Sequence, residues 1–321
     1  MKAWNTWERL LLALLVLLLV VFGSVQPGFM SPYALADSTF NFSEKGILAL
    51  ALALLIVTGE IDLSIAAILA LCSLAMGFAM RAGAGPLGMT LAAFATGALA
   101  GGINGWLVTA YRLPSIVVTI GTLSLYRGLA MVALGDKAIA GYPESFSVFG
   151  NGYLSEVTGI SWLIVPIEFV VLILCAVVVG VFLHRTVSGR HLYAIGANPV
   201  ASRFSGIEVD RYRLGLFVFA GLMAALAAVM LTGRIGSTRP NIAMGWELDA
   251  ITMVILGGVA IEGGRGSIVG TMLAVLLLGL FTFGLGMANV SGIVMSMIVG
   301  ILLIIAMILP GLFRRRKMAT H

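Results

Sequence analysis

Apolar runs too long for a soluble core recur along the whole chain, and they fix its solvent before any motif is read. Residues 10–25 contain no charged side chain, and further apolar runs occupy 64–80, 87–110, 115–134, 162–183, 214–231, 247–261, 268–287 and 291–309. A helix needs about 20 apolar residues to cross about 30 Å of hydrocarbon. The run at 47–58 is too short alone, so its helix is expected to begin near Phe40. The composition agrees, at 60% hydrophobic and 10% charged residues. The expected fold is all-α: a polytopic integral membrane protein of about ten transmembrane helices, residues 1–321 forming a single transmembrane domain. The charged start at Lys2 and Arg9 would suit a signal peptide, but no small-residue cleavage site follows, so the first run is read as a membrane helix.

Charge orients these spans. With ten of them, Lys2, Arg9, Arg112, Arg185, Arg190, Arg203, Arg211, Arg213, Arg265 and the tail Arg314, Arg315, Arg316 and Lys317 fall on one side; Lys45, Arg81, Lys137, Arg234 and Arg239 fall on the other. The excess belongs inside the cell, which puts both termini in the cytoplasm. The net charge of +5 is therefore topological and implies no nucleic-acid partner; the solvent partner is membrane lipid.

The longest charged interruption of the second half is 184–213, a cytoplasmic loop. Within it Asn198 can cap a helix, Pro199 suits its first position, and Gly206 can end it in a left-handed conformation. Val200, Phe204 and Ile207 would form one apolar stripe, with Arg203 pointing elsewhere. Such a helix either caps its own bundle or docks on another protein.

Polar residues inside spans are the candidate path. Glu60 and Asp62 sit in the segment 59–64, read as a cytoplasmic turn with a broken helix lining a cavity as the alternative. Gly97, Gly101 and Gly105 strip one helix face, Asn104 lies beside it, and the next helix carries Thr119, Thr122, Ser124 and Arg127. The hydroxyls can simply bond back to their own helix. A guanidinium cannot lose its charge, so Arg127 needs water or a carboxylate; Glu247 and Asp249 are candidate partners. The two helices are expected to share a narrow, weakly binding polar channel.

Other chemistry is missing from the sequence. GGRGS at 263–267 lacks the lysine of a phosphate loop and is read as a tight turn. No hydrolase or metalloprotease motif occurs, and Cys72 and Cys175 lie in apolar runs, which favours packing over a disulfide or a metal site. Any ATP hydrolysis would have to occur on another chain.

The stretches VTGEIDLSIAAILAL (57–71), LPSIVVTIGTLSLYRGLAM (113–131), GRHLYAIGANPVASRFSGI (189–207) and LDAITMVILGGVAIEGGRGSIVGT (248–271) resemble the permease subunits of bacterial ABC importers for monosaccharides, the ribose, xylose, galactose, rhamnose and autoinducer-2 group. Where the family reads Gly-Gly-Ile-Asp, this chain has Gly59-Glu60-Ile61-Asp62, which adds a carboxylate near the path. The resemblance implies a type II importer bundle like that of the vitamin B12 importer, paired with a second permease, identical or paralogous. It also implies a periplasmic sugar-binding protein and a cytoplasmic ATPase that carries the ATP and magnesium. Gly196, Asn198, Pro199, Val200, Arg203, Phe204, Gly206 and Ile207 match the family's coupling helix. A rhamnose-type solute is the first expectation, then autoinducer-2 or ribose. An ion-gradient-driven transporter is the alternative; it needs buried ionisable groups near the midplane, where Glu168 is the deepest carboxylate.

Overall fold

The computed structural model describes residues 6–302 together with 304 and 305; Lys2 and the basic tail from Arg314 lie outside the described residues. In chain order the helices are α1 (Thr6–Val25), α2 (Pro32–Ser38), α3 (Ser43–Val57), α4 (Ile65–Arg81), α5 (Pro86–Ala110), α6 (Ser115–Leu134), α7 (Glu144–Asn151), α8 (Leu154–Thr158) and α9 (Ile167–Arg185). They continue with α10 (Val187–Ala197), α11 (Pro199–Phe204), α12 (Val209–Ile235), α13 (Trp246–Leu256) and α14 (Ile268–Met287), followed by α15 (Gly292–Leu302). The only sheet among the described residues is a two-residue pair, β1 (Ile139–Ala140) antiparallel to β2 (Ser237–Thr238), with Ile139 opposite Thr238. It ties two loops together at the end of the bundle away from α11.

The helices start where local chemistry prescribes. Proline opens α2, α5 and α11, where its missing N–H has no intrahelical partner to lose. Ser31 and Ser267 accept backbone N–H groups at the starts of α2 and α14.

Each of the ten expected spans contains a helix, but they are unequal. Six helices (α1, α5, α6, α9, α12 and α14) are long and apolar enough to cross a membrane, and α2 with α3 makes a seventh span bent by 50°. The others are shorter: 17 residues in α4, 11 in α13, and α15. α13 ends at Leu256, although the apolar run that predicts its span continues to Ile261, because Gly257 and Gly258 follow and Gly258 turns left-handed at φ +89°.

The middle of the bundle is α3 against α12. Residues 46–57 of α3 are all buried, as expected of a helix that is apolar on every side. On α12, Phe217, Ala220, Ala224 and Ala228 are fully covered. The glycine face of α5 is real, but its neighbour is α12 and not α6, the partner expected from sequence. A Cβ on Gly97 would lie 2.2 Å from the Gly221 carbonyl oxygen, and one on Gly101 would lie 2.2 Å from that of Phe217. Gly221 supplies the matching flat spot on α12, so the two backbones touch.

Candidate functional site

Two neighbouring structures lie toward the α11 end of the bundle, one exposed and one buried. The exposed one is α11 itself. Asn198 is extended at φ −161°, and its Oδ1 accepts from Val200 N at 3.0 Å and Ala201 N at 2.9 Å. Such a cap contributes about 1 kcal/mol. Gly206 closes the turn at φ +81°. Ser202 is buried, Val200 is 60% exposed and Phe204 90% exposed, so the apolar stripe points away from the chain's own core. Ile207 is half-buried at its end. Arg203 turns aside to Asp210 at 2.6 Å.

α11 stands on a platform of touching backbones. A Cβ on Gly196 would fall 1.9 Å from the Val57 carbonyl oxygen and 2.4 Å from Gly264 N. That same carbonyl accepts from Gly264 N at 2.8 Å. Tyr193 of α10 donates to the Gly266 carbonyl at 2.8 Å, and burial pushes its phenol up to about 12, so it keeps its proton as a donor. Beside this contact opens a cleft of about 340 Å³ lined by Gly196, Ala197, Ala260, Glu262, Gly263, Gly264 and Arg265. The sequence missed Tyr193; an aromatic in a basic loop gives no signal of the backbone it will hold.

The buried structure is the interruption 58–64 between α3 and α4. The chain does turn here, running down α3 from Glu44 beside Arg234 and back up α4 to Ser73 beside Thr232, but the turn is covered: Thr58, Glu60, Asp62 and Ser64 are all buried, with Asp62 and Ser64 fully so. Asp62 Oδ1 accepts from Ser64 N at 2.8 Å and from Ser64 Oγ at 2.6 Å. Asn104 Nδ2 donates to Ser64 Oγ at 2.7 Å, and the Tyr126 hydroxyl donates to the Ala100 carbonyl at 3.0 Å and to Asn104 Oδ1 at 3.3 Å. α6 meets the backbone of the break at two points: Ile61 N donates to Ser115 Oγ at 3.2 Å, and Thr119 Oγ1, which bonds back to Ser115 O at 2.8 Å, also lies 3.2 Å from Ile61 O. Non-helical backbone survives inside a membrane bundle only with such partners. Glu60 pairs with Arg213 of α12 at 2.8 Å.

The candidate path residues therefore divide. Asp62, Asn104 and Thr119 are joined through the break. Arg127 is brought near it, with Nη2 donating to Ala66 O at 3.3 Å while Nη1 donates to Ile242 O at 2.7 Å and Pro240 O at 3.0 Å. Thr122 bonds back within its own helix, to Thr119 O at 3.4 Å. Ser124 lies on the exposed face of α6. Asp249 stands apart: it pairs with Lys45 at 2.6 Å, so of the two partners proposed for Arg127 only Glu247 faces it electrostatically. Sequence reasoning also missed Ser64 and Tyr126. The two-residue spacing from Asp62 to Ser64 was the one available local signal, since a short acidic side chain commonly bonds backbone two residues on.

A family model described as "Branched-chain amino acid transport system / permease component" matches residues 35–307. The chain is 37% identical over 311 residues to the "Autoinducer 2 import system permease protein LsrD" of Escherichia coli (strain K12), covering 94% of this chain and 91% of that one. The protein of the same name from Shigella flexneri matches at the same identity and coverage. No solved structure matches. A match over most of the chain, on a helical bundle with six or seven spans long and apolar enough to cross a membrane, shows that the chain belongs to the family of branched-chain amino acid transport system permease components.

Proposed function

We propose that the chain is the membrane-spanning subunit of an ATP-driven importer in the bacterial inner membrane, with both termini cytoplasmic and α11 as its coupling helix. The observation that carries this is the outward-facing pair Val200 and Phe204 on a helix capped by Asn198 and seated on close-packed backbone. A 90%-exposed phenylalanine in a basic, solvent-facing segment calls for a partner. In this reading the partner is an ATPase that carries ATP and magnesium. A periplasmic binding protein delivers solute to the opposite end, and a second permease, identical or paralogous, completes the path.

The solute is a small hydroxylated molecule of the monosaccharide class. The likeness to permeases named for autoinducer-2 supports that solute ahead of the rhamnose-type and ribose-type ones. The path runs along the exposed face of α6 that carries Ser124, and the network of Asp62, Asn104, Thr119 and Arg127 holds that helix from behind.

The test is Phe204→Asp. The variant should reach the membrane and unfold at the wild-type temperature, because the side chain touches little of its own chain, yet fail to copurify with the ATPase that the wild type brings down. A carboxylate desolvated without a partner costs several kcal/mol. Normal copurification and normal uptake of labelled autoinducer-2 would remove α11 from the interface.

A further inference from the structure

At the end of the bundle away from α11, the first turns of α3 and α9 and the last turn of α12 bring two carboxylates onto one guanidinium. Glu44 and Glu168 are both fully buried. Arg234 donates from Nε to Glu44 Oε1 at 2.9 Å, with Nη2 at 2.8 Å from the same oxygen. Glu168 Oε1 is 3.8 Å from that Nε, within an ion pair but beyond a hydrogen bond. Three buried carboxylate oxygens are left without a hydrogen-bond partner: Glu44 Oε2 and both oxygens of Glu168. The charged groups facing the cluster are Glu44 and Lys45 from α3, Glu168 from α9 and Arg234 from α12. Lys45 is committed to Asp249 at 2.6 Å. α7 adds only the neutral Asn151, which donates to Arg234 O at 3.1 Å, and it seals the site: a Cβ on Gly150 would lie 2.2 Å from Arg234 N.

Two carboxylates against one guanidinium leave one negative charge in a closed, apolar place. We propose that Glu44 and Glu168 hold one proton between them, with Glu168 as the neutral acid, so that the three-group cluster is electrically neutral. One proton removes the excess charge, and like carboxylates sharing a site do not both ionise. The cluster then clamps α3 and α9 to α12. A group that keeps its proton when folded and loses it when unfolded adds stability at low pH, and that stability is lost as pH rises through the folded-state titration.

The experiment uses the full-length protein in lipid nanodiscs. Infrared difference spectra with carboxyl-labelled glutamate should show, at neutral pH, a protonated-acid carbonyl band that disappears in Glu168→Gln. The unfolding temperature of the wild type should fall as pH rises, and Glu168→Gln should fold and lose that slope, because an amide reproduces a neutral acid and cannot reproduce a charge. The proposal is overturned if no such band is lost, if Glu168→Gln fails to fold, or if it unfolds at a lower temperature than wild type at every pH. Stabilisation by sodium over choline chloride at fixed pH that vanishes in Glu168→Gln would also overturn it, by making the ligand a metal cation.

Discussion

α3 and α13 both stop short of a full span and hand over to non-helical chain, yet the two interruptions are held by opposite means. The break at 58–64 is held by side chains: Asp62, Ser64, Asn104, Ser115 and Thr119 supply partners to one another and to its backbone. The break at 257–267 is held chiefly by backbones that glycines let touch, with Tyr193 donating to the Gly266 carbonyl beside them. A Cβ on Gly257 would lie 2.5 Å from Thr271 Cα, one on Gly270 would lie 2.1 Å from the Gly257 carbonyl oxygen, and Gly263 and Gly264 turn at φ +84° and +73° against Gly196 and Ala197. The two therefore fail differently. Removing a hydrogen-bonding side chain leaves orphaned groups whose cost is graded, whereas adding a methyl between two backbones forces them apart. The first break fixes where polarity sits between α4, α5 and α6; the second fixes the platform from which α11 projects.

The harshest way to break this contrast is Gly196→Val. Its Cβ would sit 1.9 Å from a backbone oxygen that cannot rotate away, so α3, α10 and the 257–267 loop would have to separate. No monodisperse peak should survive size-exclusion chromatography in detergent. A wild-type elution profile would mean that the platform is compliant and that its glycines are not what holds it.

The side-chain-held break should respond more mildly. Arg127→Leu strands the carbonyls of Ala66, Pro240 and Ile242 and deprives Glu247 of its facing charge. Lost buried hydrogen bonds and unpaired groups of this kind cost about 2–4 kcal/mol, so the protein should still fold, with a lower unfolding temperature and reduced uptake. Copurification with the ATPase should be unchanged, because α11 is far from the substitution in the contact network. Wild-type stability in this variant would show that the three carbonyls find other partners.

How much of this was readable depends on how far apart the interacting residues are. The cap at Asn198, the proline after it and the left-handed Gly206 are local chemistry, and they were legible as a short helix. The glycine face of α5 was legible too, since it repeats within one helix, but its partner Gly221 lies on α12 and leaves no mark near residue 100. For the same reason Asp249 was offered to Arg127 when its true partner is Lys45, 204 residues away. The apolar runs showed where helices cross and concealed where they stop, because the residues after Leu256 remain apolar while the backbone turns. Asp62 could be flagged as unusual in a membrane span, but that its partner Ser64 also accepts from Asn104 of α5 follows only from the packing.

The smallest expected effect tests whether a side-chain-held element can be loosened without disturbing the glycine-held platform under it. Asn198→Ala removes the acceptor of the Val200 and Ala201 N–H groups, at about 1 kcal/mol, and Asn198→Gly should cost only a few tenths because glycine tolerates the cap conformation. Since α11 is exposed, that loss should appear locally: faster hydrogen exchange at Val200 and Ala201, with exchange in α10 and the global unfolding temperature unchanged. If α10 loosens as well, the cap and the platform are one cooperative unit and the contrast between the two kinds of hold fails at this point. If neither moves, water replaces the Asn198 oxygen at this exposed cap, and the stiffness of α11 comes from Gly196 and the backbone it touches.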